Sequence, residues 1–181
     1  DSVKPINTSD CRMANRFDIG PGVRNEFNED LVHHLNSLFN EVGGEQLPHV
    51  RIHGDPTPHN IFWNAGTSQI EIIDFNLHQS VAIEDLVVFE AGIELMTARI
   101  PFSWSSQGDA IINQFRAGYT KQGVHKTLPD QIIRILKLAY YTHLLDKHIQ
   151  NKASNTPRQR LTQWTDRRII EKKVRRLAAE I

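Results

Sequence analysis

Two short stretches determine how this sequence is interpreted: residues 53–60, which read HGDPTPHN, and residues 72–75, which read IIDF. Four residues separate Asp55 from Asn60 in the first stretch, and Asp74 lies in the second. The glycine and the two prolines of the first stretch predict a stiff, non-helical loop. The apolar residues before Asp74 predict the end of a β-strand. The pattern therefore places one carboxylate on a loop and another at a strand end.

The residues that surround these stretches predict a small β-hairpin. Residues 60–63 (NIFW) and residues 69–75 (QIEIIDF) read as strands, and residues 64–68 (NAGTS) have the composition of a turn. The alternation of a strand predicts that one of the two neighbouring aromatic residues in the first strand faces the core and the other faces out. A further short strand is expected at residues 49–52, just before the loop.

Most of the remaining sequence has the 3–4 residue spacing of one-sided helices. Helices are expected over residues 25–42, 83–97, 108–119 and 129–150, and the last helix has Ile170, Val174, Leu177 and Ile181 on its apolar face. Gly43-Gly44 is expected to end the first of these helices, and Pro129 to begin the fourth. The predicted fold class is α+β and predominantly α-helical, with a small β-hairpin.

Length and composition narrow the class of protein. The 181 residues predict one domain (1–181), and 39% hydrophobic with 23% charged residues is typical of a globular protein. Lys and Arg number 21 and so do Asp and Glu, which argues against a protein built mainly to bind nucleic acid or an anionic membrane. Cys11 is the only cysteine, so a disulfide framework is excluded. No apolar run is long enough to span a membrane, and a cytoplasmic location is expected.

The C-terminal segment is an exception to this charge balance. Residues 152–181 contain nine Lys or Arg residues against three Asp or Glu residues. Basic helices of this kind bind nucleic acid or anionic lipid. A solvated helix face, with the apolar stripe packed on the domain, is the commoner explanation for such a segment.

The loop and strand-end residues have the chemistry that phosphoryl transfer needs. One carboxylate must orient the attacking hydroxyl, and a second carboxylate with an amide oxygen must hold Mg²⁺, which neutralises the phosphates. Magnesium prefers oxygen ligands of this kind. Asp55, Asn60 and Asp74 supply these groups.

The pattern H-G-D-x-x-x-x-N followed by I-D-F resembles the aminoglycoside phosphotransferase and choline kinase family, part of the protein-kinase-like superfamily. The resemblance covers residues 48–95 and extends more loosely to the FRAGY stretch at residues 115–119. It implies an ATP- and Mg²⁺-dependent phosphotransferase, with ATP as co-substrate and the hydroxyl of a small molecule as acceptor. The family's roles map onto these positions as follows: Asp55 as catalytic base, His53 as the buttress of the loop, and Asn60 and Asp74 as the ligands of magnesium and its nucleotide.

The sequence also departs from the family pattern. Thr57 stands where the family usually has His, and His59 where it usually has Gly, which reshapes the loop and leaves the acceptor open. Only 52 residues precede the motif, and they contain no glycine-rich nucleotide loop. The expectation is therefore a kinase-like C-terminal lobe alone, without the N-terminal nucleotide-binding lobe, and inactive in isolation. Asp85, which opens the next helix, is expected to have a structural or substrate-facing role.

Two other interpretations remain open at this point. The chain could be a non-catalytic, kinase-like binding module, or His53, Asp55 and His59 could bind a hydrolytic metal ion. The acceptor is equally open: an aminoglycoside, choline, a sugar, an amino-alcohol or a protein hydroxyl. A cationic acceptor would suit an acidic pocket, for which the candidates are Glu84, Asp85, Glu90 and Glu94.

Overall fold

A computed structural model describes residues 19–43, 49–81, 83–99, 105–121, 130–150 and 156–181. The chain divides into two compact units, one formed by the described part of residues 46–128 and the other by that of residues 6–45 and 129–181. In chain order the elements are α1 (Pro21–Glu26), α2 (Glu29–Gly43), β1 (His49–Ile52), a 3₁₀ turn (Pro58–Asn60), β2 (Ile61–Asn64), β3 (Gln69–Ile72), β4 (His78–Val81), α3 (Glu84–Ala98), α4 (Ser105–Lys121), α5 (Asp130–Gln150) and α6 (Pro157–Glu180). This mostly helical content with small antiparallel sheets agrees with the predicted α+β class.

The first unit contains two small antiparallel sheets. Strands β2 and β3 form a hairpin in which Ile61 lies opposite Ile72, so the predicted hairpin is present. Strand β3 ends at Ile72 and not at Phe75, because Asp74 has a backbone φ of 58°, which a strand cannot accommodate. Strand β1 has the predicted bounds.

Strand β4 was not expected from the sequence. It pairs with β1 in antiparallel register, with Val81 opposite His49. The four residues HQSV contain one strongly apolar side chain and give no alternating signal. The strand forms because its backbone completes the pairing of β1.

The helix expected over residues 25–42 is two helices. Phe27 has extended backbone angles (φ −105°, ψ 151°), which end α1 after one and a half turns. The Oδ1 atom of Asn28 then accepts a hydrogen bond from the backbone N–H of Leu31 at 3.2 Å, which caps the start of α2. Helix α1 begins at Pro21, earlier than the apolar spacing indicated, because Pro is favourable in a first helical turn.

The other predicted helices are present as α3, α4, α5 and α6. Pro129 and Gly44 lie outside the described residues. In the first unit Phe89 and Ile93 of α3 pack with Ile112 of α4, and the β2 residue Ile61 packs against this cluster. In the second unit α5 packs against α1, α2 and α6 through a core that includes Leu35, Leu138, Tyr141, Ile170 and Val174.

The hairpin leaves a large apolar surface in solvent. Phe62 and Trp63 are 49% and 64% exposed, so the expectation that one of them lies in the core is wrong. Apolar side chains of β3 and the segment after it are exposed as well: Ile70, Ile72, Ile73, Phe75 and Leu77. Exposed clusters of large apolar side chains often mark interaction surfaces.

No helix within the described ranges is both long enough and apolar enough to cross a membrane.

Candidate functional site

The loop at residues 53–60 is held by Asp85, near the start of α3. The backbone N–H of His53 donates to Oδ2 of Asp85 at 2.8 Å, and the N–H of Gly54 donates to Oδ1 at 2.9 Å. Gly54 has a φ of 87°, a conformation that glycine adopts without strain. Hydrogen bonds to a carboxylate are among the stronger ones in proteins. The loop is therefore anchored to helix α3 by both oxygens of one side chain.

The His53 ring joins the loop to the residues that follow the hairpin. Its Nδ1 accepts from the backbone N–H of Asp55 at 3.2 Å, and its Nε2 lies 3.1 Å from the carbonyl oxygen of Ile73. An acceptor Nδ1 leaves the proton on Nε2, which donates to Ile73, so the bonds fit the neutral Nε2–H tautomer. The ring also packs on Phe75, with 4.4 Å between centroids. Both ring nitrogens are engaged within the protein, which disfavours the hydrolytic metal site.

Asn60 faces Asp55 across the loop. Its Nδ2 donates to the Asp55 carbonyl oxygen at 2.9 Å and to the Asp55 Oδ2 at 3.3 Å. The Asn60 backbone N–H donates to the carbonyl oxygen of Thr57 at 2.9 Å, which closes the 3₁₀ turn. Because Nδ2 is directed at Asp55, the amide oxygen Oδ1 is the side chain's acceptor on the other side.

Asp74 lies between Ile73 and Asn76, which both form backbone hydrogen bonds with this loop. The Ile73 N–H donates to the Asn60 carbonyl oxygen at 3.0 Å, and the Asn76 N–H donates to the His53 carbonyl oxygen at 3.0 Å. Ile73 therefore bonds to Asn60 through its N–H and to His53 through its carbonyl oxygen. Asp74 is exposed, and its left-handed backbone turns the chain out of the strand direction.

The structure thus brings His53, Asp55 and Asn60 into direct hydrogen-bond contact and places Asp74 beside a residue that bonds to two of them. The two prolines of the loop assist this arrangement. Pro56 is buried, and a Cβ on Gly92 of α3 would lie 2.7 Å from Cδ of Pro58. The loop lies against α3 at a distance that only glycine permits.

Three of the four acidic residues of α3 form hydrogen bonds or ion pairs inside the first unit. Glu84 is fully buried and accepts a hydrogen bond from the Ser80 hydroxyl. Glu90 is fully buried and forms a bidentate pair with Arg116 of α4, with both nitrogen–oxygen distances at 2.9 Å. With Asp85 holding the loop backbone, three of the four candidates for a cationic pocket have roles inside the protein.

Tyr119 of α4 is the titratable group that this environment perturbs. Burial raises the pKa of the Tyr119 phenol above its ordinary value, and the nearby negative charge of Asp85 raises the pKa further. Tyr119 also stacks on Phe115, with ring centroids 5.8 Å apart, and Phe115 stacks on Phe89 at 3.9 Å. The FRAGY stretch therefore joins α4 to α3 in the same unit as the loop.

Sequence reasoning left the role of Asp85 undecided between structural and substrate-facing. The structure makes it the anchor of the loop. A carboxylate in the first turn of a helix is common, because it complements the helix dipole, so its position alone does not reveal this partner. More than thirty residues separate Asp85 from the loop in the sequence, so no local pattern indicates the contact.

No group of three or more His, Cys, Asp or Glu side chains suited to a metal ion occurs among the residues that the structure describes. Of the two predicted magnesium ligands, Asn60 carries an amide and only Asp74 carries a carboxylate.

Comparisons with known proteins support the fold. Among solved structures, the chain is similar to the amicoumacin kinase hAmiN in complex with AMP-PNP, Ca²⁺ and Ami, with a TM-score of 0.54 and 15% sequence identity. The similarity covers 84% of this chain and 48% of that one, so the chain spans about half the length of the kinase. No family model matches the sequence, and no curated protein matches it. The fold is thus similar to that of the amicoumacin kinase, and the resemblance seen in the sequence also predicted a kinase-like fold.

Proposed function

We propose that the protein is an ATP- and Mg²⁺-dependent phosphotransferase that acts on the hydroxyl of a small molecule, and that this chain is its C-terminal catalytic lobe. The observation that supports this most is the hydrogen-bonded loop in which Asn60 holds Asp55 and His53 holds the end of the hairpin. That loop occurs on a fold similar to a kinase.

Asp55 is proposed as the catalytic base. Its Oδ2 is fixed by the Asn60 amide, and its backbone N–H by the His53 ring. A carboxylate held in this way would orient the acceptor hydroxyl and take its proton as the oxygen attacks the γ-phosphorus of ATP and ADP leaves. His53 acts through the backbone of the loop and is therefore a positioning residue.

Asn60 and Asp74 fit a magnesium ion by their chemistry. The Asn60 Nδ2 is directed at Asp55, which leaves Oδ1 as a hard oxygen ligand. Asp74 is an exposed carboxylate, and it follows Ile73, whose N–H donates to the Asn60 carbonyl oxygen. When bound, magnesium neutralises the phosphate charge. The proposal requires Asn60 Oδ1 and an Asp74 carboxylate oxygen to approach within about 5 Å, because Mg–O distances are near ~2.1 Å.

The exposed apolar surface of the hairpin supports the proposal that a second lobe is needed. Seven large apolar side chains between Phe62 and Leu77 are more than two fifths exposed. The structural neighbour, in which AMP-PNP is bound, is about twice as long as the region that this chain matches. Without the other lobe, we expect this chain to bind Mg–ATP with a dissociation constant of ~1 mM or weaker. Calorimetry with residues 1–181 measures this dissociation constant, and micromolar binding would contradict the proposal that a second lobe is needed.

The roles of the carboxylates are tested in the product of the full open reading frame. Asp74→Ala removes a metal ligand, so both Mg–ATP affinity and turnover should fall. Asp55 is proposed to act on the acceptor and not on the nucleotide. In Asp55→Ala the Mg–ATP affinity should therefore persist while turnover falls about 10²-fold or more. The readouts are calorimetric ATP affinity and transfer of labelled phosphate to a panel of aminoglycosides, choline, sugars and amino-alcohols.

Asp109→Ala is the matched control, because Asp109 is an exposed carboxylate on α4 in the same unit. It should leave affinity and turnover unchanged. Normal turnover in Asp55→Ala would contradict its role as base. Mg–ATP binding without transfer to any acceptor in the panel would favour the alternative, a kinase-like binding module.

A further inference from the structure

Helix α6 has one solvent-facing line of side chains that combines apolar and basic residues. We call it the α6 stripe; its members are Leu161, Trp164, Arg168, Lys172 and Arg175, spaced 3, 4, 4 and 3 residues apart. This spacing puts them on one face of a helix. Leu161 and Trp164 are 64% and 57% exposed, and the three cationic residues are exposed too. The stripe extends about 21 Å along the helix axis.

The opposite face of α6 is committed to the interior of the second unit. Asp166, Ile170, Val174 and Leu177 are buried, and α6 packs along α5. Burial of these residues explains why α6 is stable without help from the stripe. Among the residues of this unit that the structure describes, none covers Leu161 or Trp164.

The charge around the stripe is positive. Arg160 and Arg176 flank the three cations of the stripe, and the carboxylates on this side of the helix are Glu171 and Glu180. Glu171 lies 3.2 Å from Arg175 and 3.7 Å from Arg168, and Glu180 lies 2.8 Å from Arg176. Five cations against two carboxylates leave three positive charges on this side of the helix. The Arg168 guanidinium also lies 5.7 Å from the centre of the Trp164 ring.

We infer that the α6 stripe docks on the surface of an anionic lipid bilayer. Leu161 and Trp164 would enter the headgroup region, where tryptophan is favoured, while the cations contact lipid phosphates. Because the five side chains of the α6 stripe share one helix face, they can contact a flat membrane surface together. The charge of the stripe is complementary to an anionic surface, and its exposed apolar residues need a non-aqueous partner.

A nucleic acid is the less suitable partner for the same surface. The apolar side chain of Leu161 has no hydrogen-bond donor for a phosphate backbone. The whole chain also has a formal net charge of zero, whereas proteins that bind nucleic acid are usually basic. The test below includes RNA because this outcome would overturn the inference.

The binding is expected to be reversible and sensitive to salt. Two inserted side chains and three net charges should give a lower membrane affinity than a lipid anchor or a spanning helix gives. Screening over a Debye length of ~3 Å in 1 M salt, against ~10 Å in 0.1 M, should release the protein. The activity proposed above does not depend on this surface, so the two proposals can fail separately.

The experiment is sedimentation of the full 181-residue chain with lipid vesicles. The chain should bind vesicles of phosphatidylcholine with roughly 30% phosphatidylserine, fail to bind pure phosphatidylcholine, and be released by about 1 M NaCl. The double variant Leu161→Ser/Trp164→Ser and the variant Lys172→Glu should each weaken binding by about tenfold or more. Tryptophan emission should shift to shorter wavelength on binding, and Trp164→Ser should remove that shift.

Matched controls separate the stripe from the exposed hairpin and from general charge. Lys147→Glu reverses an exposed cation on α5, and Trp63→Ser removes an exposed aromatic residue of the hairpin. Both should bind like the unmodified chain, and circular dichroism should confirm that every variant is folded. The inference is overturned if the stripe variants bind like the unmodified chain, if only Trp63→Ser loses binding, or if the chain binds single-stranded or duplex RNA and does not bind anionic vesicles.

Discussion

Asp85 and Asp146 make the same kind of contact in the two units of the chain. Each carboxylate accepts hydrogen bonds from two consecutive backbone N–H groups. Asp85 uses both oxygens, at 2.8 Å from the His53 nitrogen and 2.9 Å from the Gly54 nitrogen. Asp146 of α5 uses one oxygen, Oδ1, at 2.8 Å from the Gly22 nitrogen and 3.2 Å from the Val23 nitrogen.

The two carboxylates differ in what they hold. Asp146 satisfies the open N–H groups at the start of α1 and so supports a helix that has no other side-chain cap. Asp85 holds a loop whose irregular backbone has no helix to stabilise it and which positions Asp55 and Asn60. The comparison shows that one chemical device serves stability in one unit and the geometry of the candidate site in the other. Four experiments can break or refine this distinction.

The largest effect is expected from Asp85→Ala. Two N–H groups lose a charged acceptor, which should lower the free energy of unfolding by about 3 kcal/mol. The loop should relax, and a displacement of about 1 Å at Asp55 should lower turnover about 10²-fold in the full-length protein. Denaturant unfolding measures the first effect, and phosphate transfer per folded molecule measures the second.

Asp85→Asn serves as the matched variant for this prediction. Its amide keeps one acceptor oxygen, so it should lie between the unmodified protein and Asp85→Ala in both measurements. A loss of stability with unchanged turnover per folded molecule would show that Asp85 is only structural. In that case the distinction between the two carboxylates would fail.

Asp146→Ala should affect stability alone. Removal of a helix cap of this kind costs about 1–2 kcal/mol, and Gln150, which donates to the other oxygen of Asp146, loses its partner as well. Turnover per folded molecule should stay within about twofold of the unmodified protein. Thermal unfolding and phosphate transfer test this together, and a turnover loss as large as that of Asp85→Ala would overturn the comparison.

Gly20→Ala should weaken the same cap from the other side. A Cβ at residue 20 would lie 2.1 Å from the Cγ of Asp146, so the carboxylate must move away from α1. We expect a loss of about 1 kcal/mol, no larger than that of Asp146→Ala. In the double variant the two losses should not add, because both act through one hydrogen-bonded group. Additive losses in a double-mutant cycle would contradict this.

These contacts also show what the sequence could predict. The hairpin, strand β1 and the long helices were predictable because their apolar residues repeat with a period of two or of about four. The loop residues His53, Asp55 and Asn60 were predictable as one group because they lie within eight consecutive positions. The structure brings these three together, and their chemical roles stay predictions.

The features that the sequence did not reveal depend on contacts between distant residues. Strand β4 exists through its pairing with β1, which is 26 or more residues earlier in the chain. Asp85 bonds to residues 31 and 32 positions away, and Asp146 to residues 123 and 124 positions away. Local sequence propensity cannot predict such contacts, because only the tertiary structure brings the partners together.

The last prediction concerns the charge of Asp85 and its effect on Tyr119. Burial and the Asp85 carboxylate raise the pKa of the Tyr119 phenol in the folded protein above the value of about 10 in the unfolded chain. Above pH ~10 the unfolded chain releases this proton while the folded protein keeps it. Folding then requires uptake of a proton, so the free energy of unfolding should fall as pH rises, by up to ~1.4 kcal/mol per pH unit from this group.

Tyr119→Phe should remove this part of the pH dependence, and its unfolding free energy should fall less steeply than that of the unmodified protein between about pH 10 and 12. Denaturant unfolding at several pH values measures the two slopes, and ultraviolet absorbance of the phenolate follows the titration directly. Asp85→Asn removes the negative charge beside Tyr119, so the phenol should titrate at lower pH than in the unmodified protein, although burial still keeps its pKa raised. Asp146→Asn is the control and should leave the phenol titration unchanged. Equal slopes for Tyr119→Phe and the unmodified protein would mean that Tyr119 ionises alike in both states, and that the Asp85 charge does not act on α4.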